Sequence, residues 1–265
     1  MSDPIKHECG IVLIRLRKPL EFYREKYGSV FYGLNKLYLL MEKQHNRGQD
    51  GAGVASVKFN VEPGYRYISR ERSNSATPIK DIFRKINGEL AELYQSKQAD
   101  FKNMQWLKNN ARFAAELLLG HLRYGTFGRN SIDSCHPFIR ENNWMSRNLV
   151  IAGNFNLTNV DQLFDTLVSL GQHPKEYSDT VTILEKIGHF LDEENTNMYR
   201  QYKQEGMDRA EINHRIAENI DIGNILTNAC KKWDGGYVIC GMIGHGDAFV
   251  LRDPSGIRPA FYHID

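Results

Sequence analysis

Segment 8–14, with the sequence ECGIVLI, constrains the fold more than any other part of this chain. Val12 and Ile14 would point to one face of a strand, and Ile11 and Leu13 to the other. Apolar residues on both faces are typical of a strand in a sheet that is covered on both sides. The sequence therefore predicts a buried strand close to the start of the chain.

Cys9 stands at the head of this strand, directly behind the polar segment 2–8. If that segment were removed, Cys9 would carry a free α-amino group beside its thiol. An N-terminal nucleophile can use its own amine as general base. The alternative is that Cys9 is a small buried hydrophobic residue at the start of a strand. The cysteine alone does not decide between the two.

Composition excludes several classes of partner. The 34 Lys and Arg nearly balance the 32 Asp and Glu, so charge gives no reason to expect nucleic acid or an anionic membrane surface. No apolar run approaches the roughly 18 residues of a membrane span, and the N-terminus lacks the apolar core of a signal peptide. We therefore expect a cytoplasmic protein. Its four cysteines have no zinc-ligand spacing, so no metal site is predicted.

The predicted elements run from strands to helices and back to strands, which is typical of an α+β or layered sandwich fold. Helical spacing predicts helices over 20–46 and, in two pieces, from 78 to about 118. Gly28 and Gly33 indicate a break in the first half of 20–46. Candidate N-caps at 158–159 and 178–179 predict helices over 160–170 and 178–191. Segments 120–128 and 153–159 are predicted as loops and 193–210 as a polar surface excursion. Segments 236–243, 247–252 and 259–264 are predicted as closing strands. The helical block at about 71–116 is interpreted as an insertion in one domain.

Six short motifs follow one another along the chain: ECGI (8–11), RGQDGAG (47–53), GHLRYGT (120–126), NFNLTN (154–159), SD (178–179) and RDPSGIRP (252–259). In this order they resemble the glutaminase domain of class II glutamine amidotransferases, the group with an N-terminal nucleophile. RGQD and RDPSGIRP make the likeness greatest to the amidophosphoribosyltransferase group of purine synthesis. The resemblance covers nearly all of residues 9–262.

The resemblance implies a four-layer αββα Ntn-hydrolase sandwich of two mainly antiparallel sheets. It implies a propeptide, residues 1–8, that is cleaved off between Glu8 and Cys9, and a glutaminase domain over 9–265. The implied activity is hydrolysis of L-glutamine to glutamate and ammonia through a thioester on Cys9. The ammonia would pass to a phosphoribosyltransferase domain or subunit that is absent from this chain. A homo-oligomer is expected, and no cofactor, since too few cysteines are suitably placed for an iron–sulfur cluster.

The resemblance also implies the catalytic groups. Asn154, through its side chain, and Phe155, through its backbone N–H, match the oxyanion hole. His121 and His136 are interpreted as structural, because the α-amine of Cys9 already fills the role of base.

The substrate-binding residues follow from the same motifs. Arg123 matches the clamp of the substrate carboxylate, which a guanidinium fork fits bidentately, and Thr126 would add a hydroxyl donor. Asp179 matches the partner of the substrate ammonium, although a Ser-Asp pair before a helix can also be an N-cap alone. Arg47 lies in the loop expected to close over glutamine.

Two positions depart from the family pattern. Phe155 stands where the family has the glycine of His-Asn-Gly, and a Phe does not readily adopt φ > 0. Its side chain could also crowd the glutamine pocket. Asn46 replaces the usual His before Arg-Gly-Gln. Two alternatives therefore stay open: a catalytically impaired regulatory or scaffold domain, and an Ntn amidase acting on another small amide.

Overall fold

The computed structural model describes residues 8–96, 100–125 and 131–264. These residues form two four-stranded sheets. The first has the order β1-β4-β2-β3, with β1 Gly10–Arg15, β2 Gly51–Val57, β3 Ile68–Ser73 and β4 Leu117–Arg123. The second has the order β5-β6-β7-β8, with β5 Phe138–Arg140, β6 Leu149–Leu157, β7 Gly235–Ile243 and β8 Ala248–Arg252. The chain divides into two compact units. The first comprises Met1–Pro137 with Ala152–Asn154, and the second comprises Phe138–Ile151 with Phe155–Asp265.

The first sheet is antiparallel throughout, and β4 lies at its centre. In this sheet Gly10 pairs with Leu122, and Gly51 pairs with Arg123. Every residue of β4 is buried, as expected for a strand with neighbours on both sides.

In the described part of the first unit the helices are α1 Leu20–Tyr27, α2 Tyr32–Lys43, α3 Pro78–Gln95 and α4 Met104–Asn110. The predicted break in the helix 20–46 is confirmed, because Gly28 ends α1 in the left-handed conformation with φ of 75°. Helices α2 and α3 pack on the sheet through a shared core that includes Leu37, Met41, Ile82 and Ile86.

The region 71–116 contains both a core helix and a short helix. The buried face of α3 recurs at helical spacing, as predicted, and contributes to the same core as β1 and β4. The second predicted helix is wrong beyond Asn110, because α4 ends there and β4 begins at Leu117. The leucine run of β4 has no periodicity that separates a buried strand from a buried helix. That this region is an insertion stays a prediction.

The second unit combines the other sheet with four helices. Helices α5, α6, α7 and α8 enclose a core with β6 and β7, to which Leu149, Ile187, Leu191 and Ile239 contribute. The bounds are β5 Phe138–Arg140, β6 Leu149–Leu157, α5 Val160–Ser169, α6 Asp179–Gln204, α7 Arg209–Asn219, α8 Ile222–Ala229, β7 Gly235–Ile243 and β8 Ala248–Arg252.

Two segments are more regular than predicted. The loops predicted at 120–128 and 153–159 begin as strand, because β4 continues to Arg123 and β6 to Leu157; residues 126–128 lie outside the described residues. The surface excursion at 193–210 is also wrong, since α6 runs on to Gln204. A stripe at helical spacing in this polar stretch, formed by Asn195, Tyr199 and Tyr202, is buried or packs against the core.

The last predicted strand, 259–264, is wrong, since these described residues form no strand. Phe261 and Tyr262 there are 96% and 88% exposed, so the apolar residues of this segment have no sheet to cover. The α+β class with two antiparallel sheets is confirmed. No helix among the described residues has the length and apolarity needed to cross a membrane.

Candidate active site

Cys9 lies immediately before β1, half-buried, at the end of the sheet where β4 finishes. Burial raises the pKa of the Cys9 thiol, and this outweighs the hydrogen bond from the Tyr124 backbone and the charges of Arg123 and Arg47, which lower it. The thiol is therefore protonated at neutral pH. A nucleophilic role would require a base to accept its proton.

Arg47 contacts the backbone of Cys9 and the side chain of the preceding residue, Glu8. It ends the short 3₁₀ turn His45–Arg47, and its Nη2 lies 3.3 Å from the Glu8 carboxylate. Its Nε donates to the Cys9 carbonyl at 3.5 Å. The next residue, Gly48, passes so close to β4 that an added Cβ would lie 2.7 Å from the backbone of Arg123. The glycine-rich motif thus lets the loop lie directly on the end of β4.

Arg123 is the last residue of β4 and is 8% exposed. Its carbonyl accepts from the Asp50 N–H at 3.0 Å, and the Asp50 carboxylate accepts from the Gly125 N–H at 2.8 Å. Asp50 therefore links the loop that carries Arg47 to the loop that follows Arg123. Thr126, the predicted hydroxyl donor, lies outside the described residues.

Asn154 is buried on β6 and extends toward Glu8. Its Nδ2 donates to the Glu8 carboxylate at 3.2 Å, and that same oxygen accepts from Arg47. The side-chain amide of Asn154 is thus already directed at an anionic oxygen beside Cys9. Within the first unit, Cys9, Arg47, Arg123 and Asn154 come together, as the motifs predicted.

Phe155 follows Asn154 on the same strand and belongs to the second unit. It is half-buried and packs against the core of that unit. Its φ is not positive, since the only described residues other than glycine with positive φ are Asn60 and Lys232. The strain expected from a Phe at this position is absent because the backbone here is regular strand.

Asp179 is the first residue of α6, in the second unit. The N-cap is Ser178, whose hydroxyl accepts from the Val181 N–H at 3.2 Å. Asp179 instead accepts from the adjacent Thr180 N–H at 2.8 Å. Burial raises the pKa of the Asp179 carboxyl, and the Thr180 hydrogen bonds lower it. A half-buried carboxylate at this position is suited to pair with a cation.

Two buried histidines adjoin the residue before Asn154. The rings of His121 and His136 are stacked, with centroids 4.4 Å apart and planes 24° apart. Burial lowers the pKa of His121 to about 4 and lowers the pKa of His136 well below its usual range. Both rings are neutral at neutral pH. Both rings contact Gly153. The sequence alone did not predict this contact. The one sequence feature that pointed to the site was the position of His121, two residues before Arg123 on β4.

Metal ligands do not gather at this site. In residues 8–96, 100–125 and 131–264, no three His, Cys, Asp or Glu side chains are arranged to hold a metal ion. The four cysteines are free thiols.

Sequence comparison gives one consistent group of relatives. No protein-family model matches the chain. The amidophosphoribosyltransferase of Escherichia coli strain K12 is 28% identical over 255 residues, which cover 95% of this chain and 37% of that protein. The amidophosphoribosyltransferase of Schizosaccharomyces pombe is 26% identical over 253 residues, covering 95% and 36%. By sequence, the chain is similar to the amidophosphoribosyltransferases over nearly its whole length. It corresponds to their N-terminal part and spans little more than a third of their length.

Solved structures show that the fold is shared as well. The glutamine phosphoribosylpyrophosphate amidotransferase of B. subtilis, complexed with ADP and GMP, matches with a TM-score of 0.52 and 19% identity, over 95% of this chain and 38% of that one. An allosteric regulatory enzyme of purine biosynthesis matches with a TM-score of 0.54 and 20% identity, over 95% and 38%. The predicted resemblance to the amidotransferase fold is therefore confirmed.

Proposed function

We propose that this chain is a glutaminase that hydrolyses L-glutamine to glutamate and ammonia, with Cys9 as the nucleophile. The observation that carries the proposal is the cluster in the first unit. A half-buried thiol at the head of β1 lies beside two arginines and an asparagine amide that donates to an anionic oxygen. The similarity to amidophosphoribosyltransferases supports the same chemistry.

The first half of the reaction forms a thioester. The Cys9 sulfur attacks the side-chain amide carbon of glutamine while its proton passes to the α-amine of Cys9. The carbonyl oxygen becomes an oxyanion, which the Asn154 side chain and the Phe155 N–H would stabilise. The carbon–nitrogen bond then breaks, and the α-ammonium returns the proton to the leaving ammonia.

The second half releases glutamate. Water attacks the thioester carbon and gives a proton to the α-amine, and the same donors stabilise the second oxyanion. The carbon–sulfur bond breaks, and the proton passes from the α-ammonium to the sulfur of Cys9. No redox partner or metal is needed for either half.

The α-amine of Cys9 can act as the base only after residues 1–8 have been removed, because only a free α-amine can accept the thiol proton. Its reference pKa of about 7.7–8.0 suits proton transfer near neutral pH. In the uncleaved chain Glu8 receives the hydrogen bonds of Arg47 and Asn154. Cleavage before Cys9 would free both donors for glutamine.

Recognition of the amino-acid head group is assigned to charged residues. Arg123 would pair with the α-carboxylate, Thr126 would add a hydroxyl, and Asp179 would pair with the α-ammonium. Arg47 would close the loop over the substrate. An arginine and a carboxylate in these roles favour an amino acid over a small amide without charges.

The impaired alternative rests on Phe155, and two observations weaken it. Phe155 packs against the core of the second unit, and its φ is not positive. Its backbone N–H could therefore serve without strain from the side chain.

The ammonia acceptor is part of the same proposal. The relatives named amidophosphoribosyltransferase are nearly three times as long as the stretch that this chain matches. We infer that a phosphoribosyltransferase domain or subunit, in an oligomer of purine synthesis, receives the ammonia.

The test combines covalent labelling with product release. A diazoketone analogue of glutamine should add to the wild-type protein once and at Cys9, and glutamine should yield ammonia. Cys9→Ala should lose both, whereas Cys230→Ala, which changes another half-buried thiol, should keep both. Ammonia release by Cys9→Ala at the wild-type rate would exclude the thioester.

Two further measurements separate the alternatives. Intact mass should show that the active protein begins at Cys9, and active protein that retains residues 1–8 would contradict the proposed base. A panel of amides should show that glutamine is preferred over amides lacking the α-carboxylate or α-ammonium. An equal rate on those amides would favour the general amidase.

A further inference from the structure

We infer that His121 and His136 are positioning residues that clamp the two peptide groups of Gly153 and thereby fix the side chain of Asn154. The inference rests on the proposed function, because Asn154 matters there as the oxyanion donor.

The clamp consists of one hydrogen bond to each side of Gly153. The Gly153 N–H donates to Nδ1 of His136 at 3.0 Å, and Nε2 of His121 lies 3.2 Å from the Gly153 carbonyl oxygen. Both histidines and Gly153 are in the first unit and are buried. The histidines lie 17 and 32 residues from Gly153 in sequence, so only the tertiary fold creates this arrangement.

Glycine makes such a clamp necessary. A glycine backbone has more rotational freedom than that of any other residue. Each peptide group is planar, so a hydrogen bond to one of its atoms orients the whole plane. His136 holds the plane that precedes Gly153, and His121 holds the plane that joins Gly153 to Asn154. Together they restrain both φ and ψ of Gly153, and hence the direction in which Asn154 leaves the backbone.

The hydrogen bonds require one tautomer of each ring. His136 accepts at Nδ1, so its neutral ring carries the proton on Nε2. His121 must donate from Nε2 to a carbonyl, so its Nδ1 has no proton, and among the described residues this buried Nδ1 has no hydrogen-bond partner. Stacking of the two rings holds the donor and the acceptor at a fixed separation. If the two histidines served packing alone, neither ring would need to be the Nε2–H tautomer.

The position of Asn154 shows why small displacements matter. Its Nδ2 donates to an oxygen that also accepts from Arg47, next to Cys9. An oxyanion donor acts only within hydrogen-bond distance of the developing charge. Losing the clamp should therefore lower kcat, whereas KM, which reflects binding of the ground state, should change little.

Paired substitutions test the clamp. His136→Asn keeps an acceptor oxygen near the place of Nδ1, and His136→Leu removes it. His121→Gln keeps a donor near the place of Nε2, and His121→Leu removes it. We expect each Leu variant to lower kcat about 10- to 100-fold at nearly constant KM. The Asn and Gln variants should restore most of the loss, and His173→Leu, at an exposed position, should have no effect.

A double substitution asks whether the histidines act through Asn154. In a protein that already carries Asn154→Ala, adding His136→Leu should cause little further loss of kcat, since residues that act as a unit are not additive. An equal loss of kcat in both backgrounds would overturn the inference. So would equal losses in the Asn and Leu variants at position 136.

A readout without catalysis separates this inference from the proposed function. In protein with ¹⁵N-labelled histidine, the ring nitrogens of His121 and His136 should both report the Nε2–H tautomer near pH 7, and this assignment also holds if a Leu variant fails to fold. An Nδ1–H tautomer at either ring would overturn the clamp even in an active enzyme. Both Nε2–H tautomers in a protein that releases no ammonia would instead contradict the proposed function alone.

Discussion

The two ends of strand β4 carry buried polar groups in opposite situations. Just before its start, Glu116 pairs with Lys108 of α4 and accepts from the Phe59 N–H at 3.0 Å. Lys58 is 2% exposed and donates to the carbonyls of Lys108 at 2.5 Å and Ala111 at 3.5 Å. At this end, defined here as the lysine end, the Lys108 ammonium is paired with the Glu116 carboxylate, and the Lys58 ammonium is hydrogen-bonded to backbone carbonyls.

The other end, defined here as the cysteine end, is arranged differently. Cys9 holds a neutral thiol beside Arg47 and Arg123. Arg47 and Asn154 each donate a hydrogen bond to Glu8, which the proposed cleavage would remove. One end of the same strand thus contributes to stability, and the other presents donors to a group that can leave. We expect substitutions at the lysine end to change unfolding and those at the cysteine end to change chemistry.

The largest effect is expected for Glu116→Gln at the lysine end. The change leaves the buried Lys108 ammonium without its charge partner, which should lower the free energy of unfolding by about 3–5 kcal/mol. Urea unfolding measures this. Glu89→Gln, in a more exposed pair with Arg112, should cost no more than about 1 kcal/mol. Equal losses in the two variants would mean that burial does not set the value of the pair.

At the cysteine end, Asn154→Ala should cost a similar free energy, but the loss should appear in kcat and not in the free energy of unfolding. Removing one oxyanion donor should lower kcat about 10²- to 10³-fold, or about 2.7–4 kcal/mol of transition-state stabilisation. Steady-state ammonia release measures this, and the melting temperature should barely move. Asn156→Ala, at an exposed position on the same strand, is the matched control. An unchanged kcat in Asn154→Ala would remove Asn154 from the oxyanion hole.

Lys58→Met should change how stability depends on pH. Burial lowers the pKa of Lys58 to about 8, against 10.5 for the ordinary side chain. Between these values the unfolded chain binds more protons than the native protein, so stability rises with pH. We expect wild type to gain up to about 3 kcal/mol over this range relative to Lys58→Met.

Unfolding curves at pH 7.5 and pH 10.5 measure that difference. Lys80→Met, at an exposed position, should follow the wild-type pH dependence. Parallel pH dependence in wild type and Lys58→Met would show that Lys58 keeps its ordinary pKa in the folded protein.

The smallest effect is expected for Asn103→Ala, which removes the N-cap of α4. The Asn103 side chain accepts from the Trp106 N–H at 3.1 Å, and losing such a cap costs about 1 kcal/mol. Thermal unfolding should detect the loss, and Asn103→Asp should recover most of it. Because α4 carries Lys108 at the lysine end, kcat should stay at the wild-type value. A tenfold lower kcat would contradict the separation of stability and chemistry between the two ends of β4.

Much of the fold could be read from local patterns. Apolar residues on both faces of segment 10–14 predicted β1, helical spacing predicted α2 and α3, and candidate N-cap residues predicted α5. Gly28 marked the break between α1 and α2, because it takes a left-handed φ that other residues avoid. The motif residues Cys9, Arg47, Arg123 and Asn154 do come together. Cys9 directly precedes β1, Arg123 ends β4 and Asn154 lies within β6, while the loop after Arg47 lies on the end of β4.

The rest depended on contacts between distant parts of the chain. The run Leu117–Leu119 fits a buried strand as well as a helix, and pairing with β1 and β2 selected the strand. The second half of α6 is polar overall and is helical because a few of its side chains reach the core. Local sequence cannot encode such choices, because the free energy that decides them comes from packing.

For this protein the sequence by itself determined where a nucleophile could stand and which charged residues could serve it. The tertiary structure alone decided what surrounds them. Burial raises the pKa of the Cys9 thiol, regular strand removes the strain expected at Phe155, and two histidines distant from Gly153 in sequence meet there. The physical reason is that protonation, backbone strain and hydrogen-bond geometry depend on neighbours in space, which the order of residues does not state.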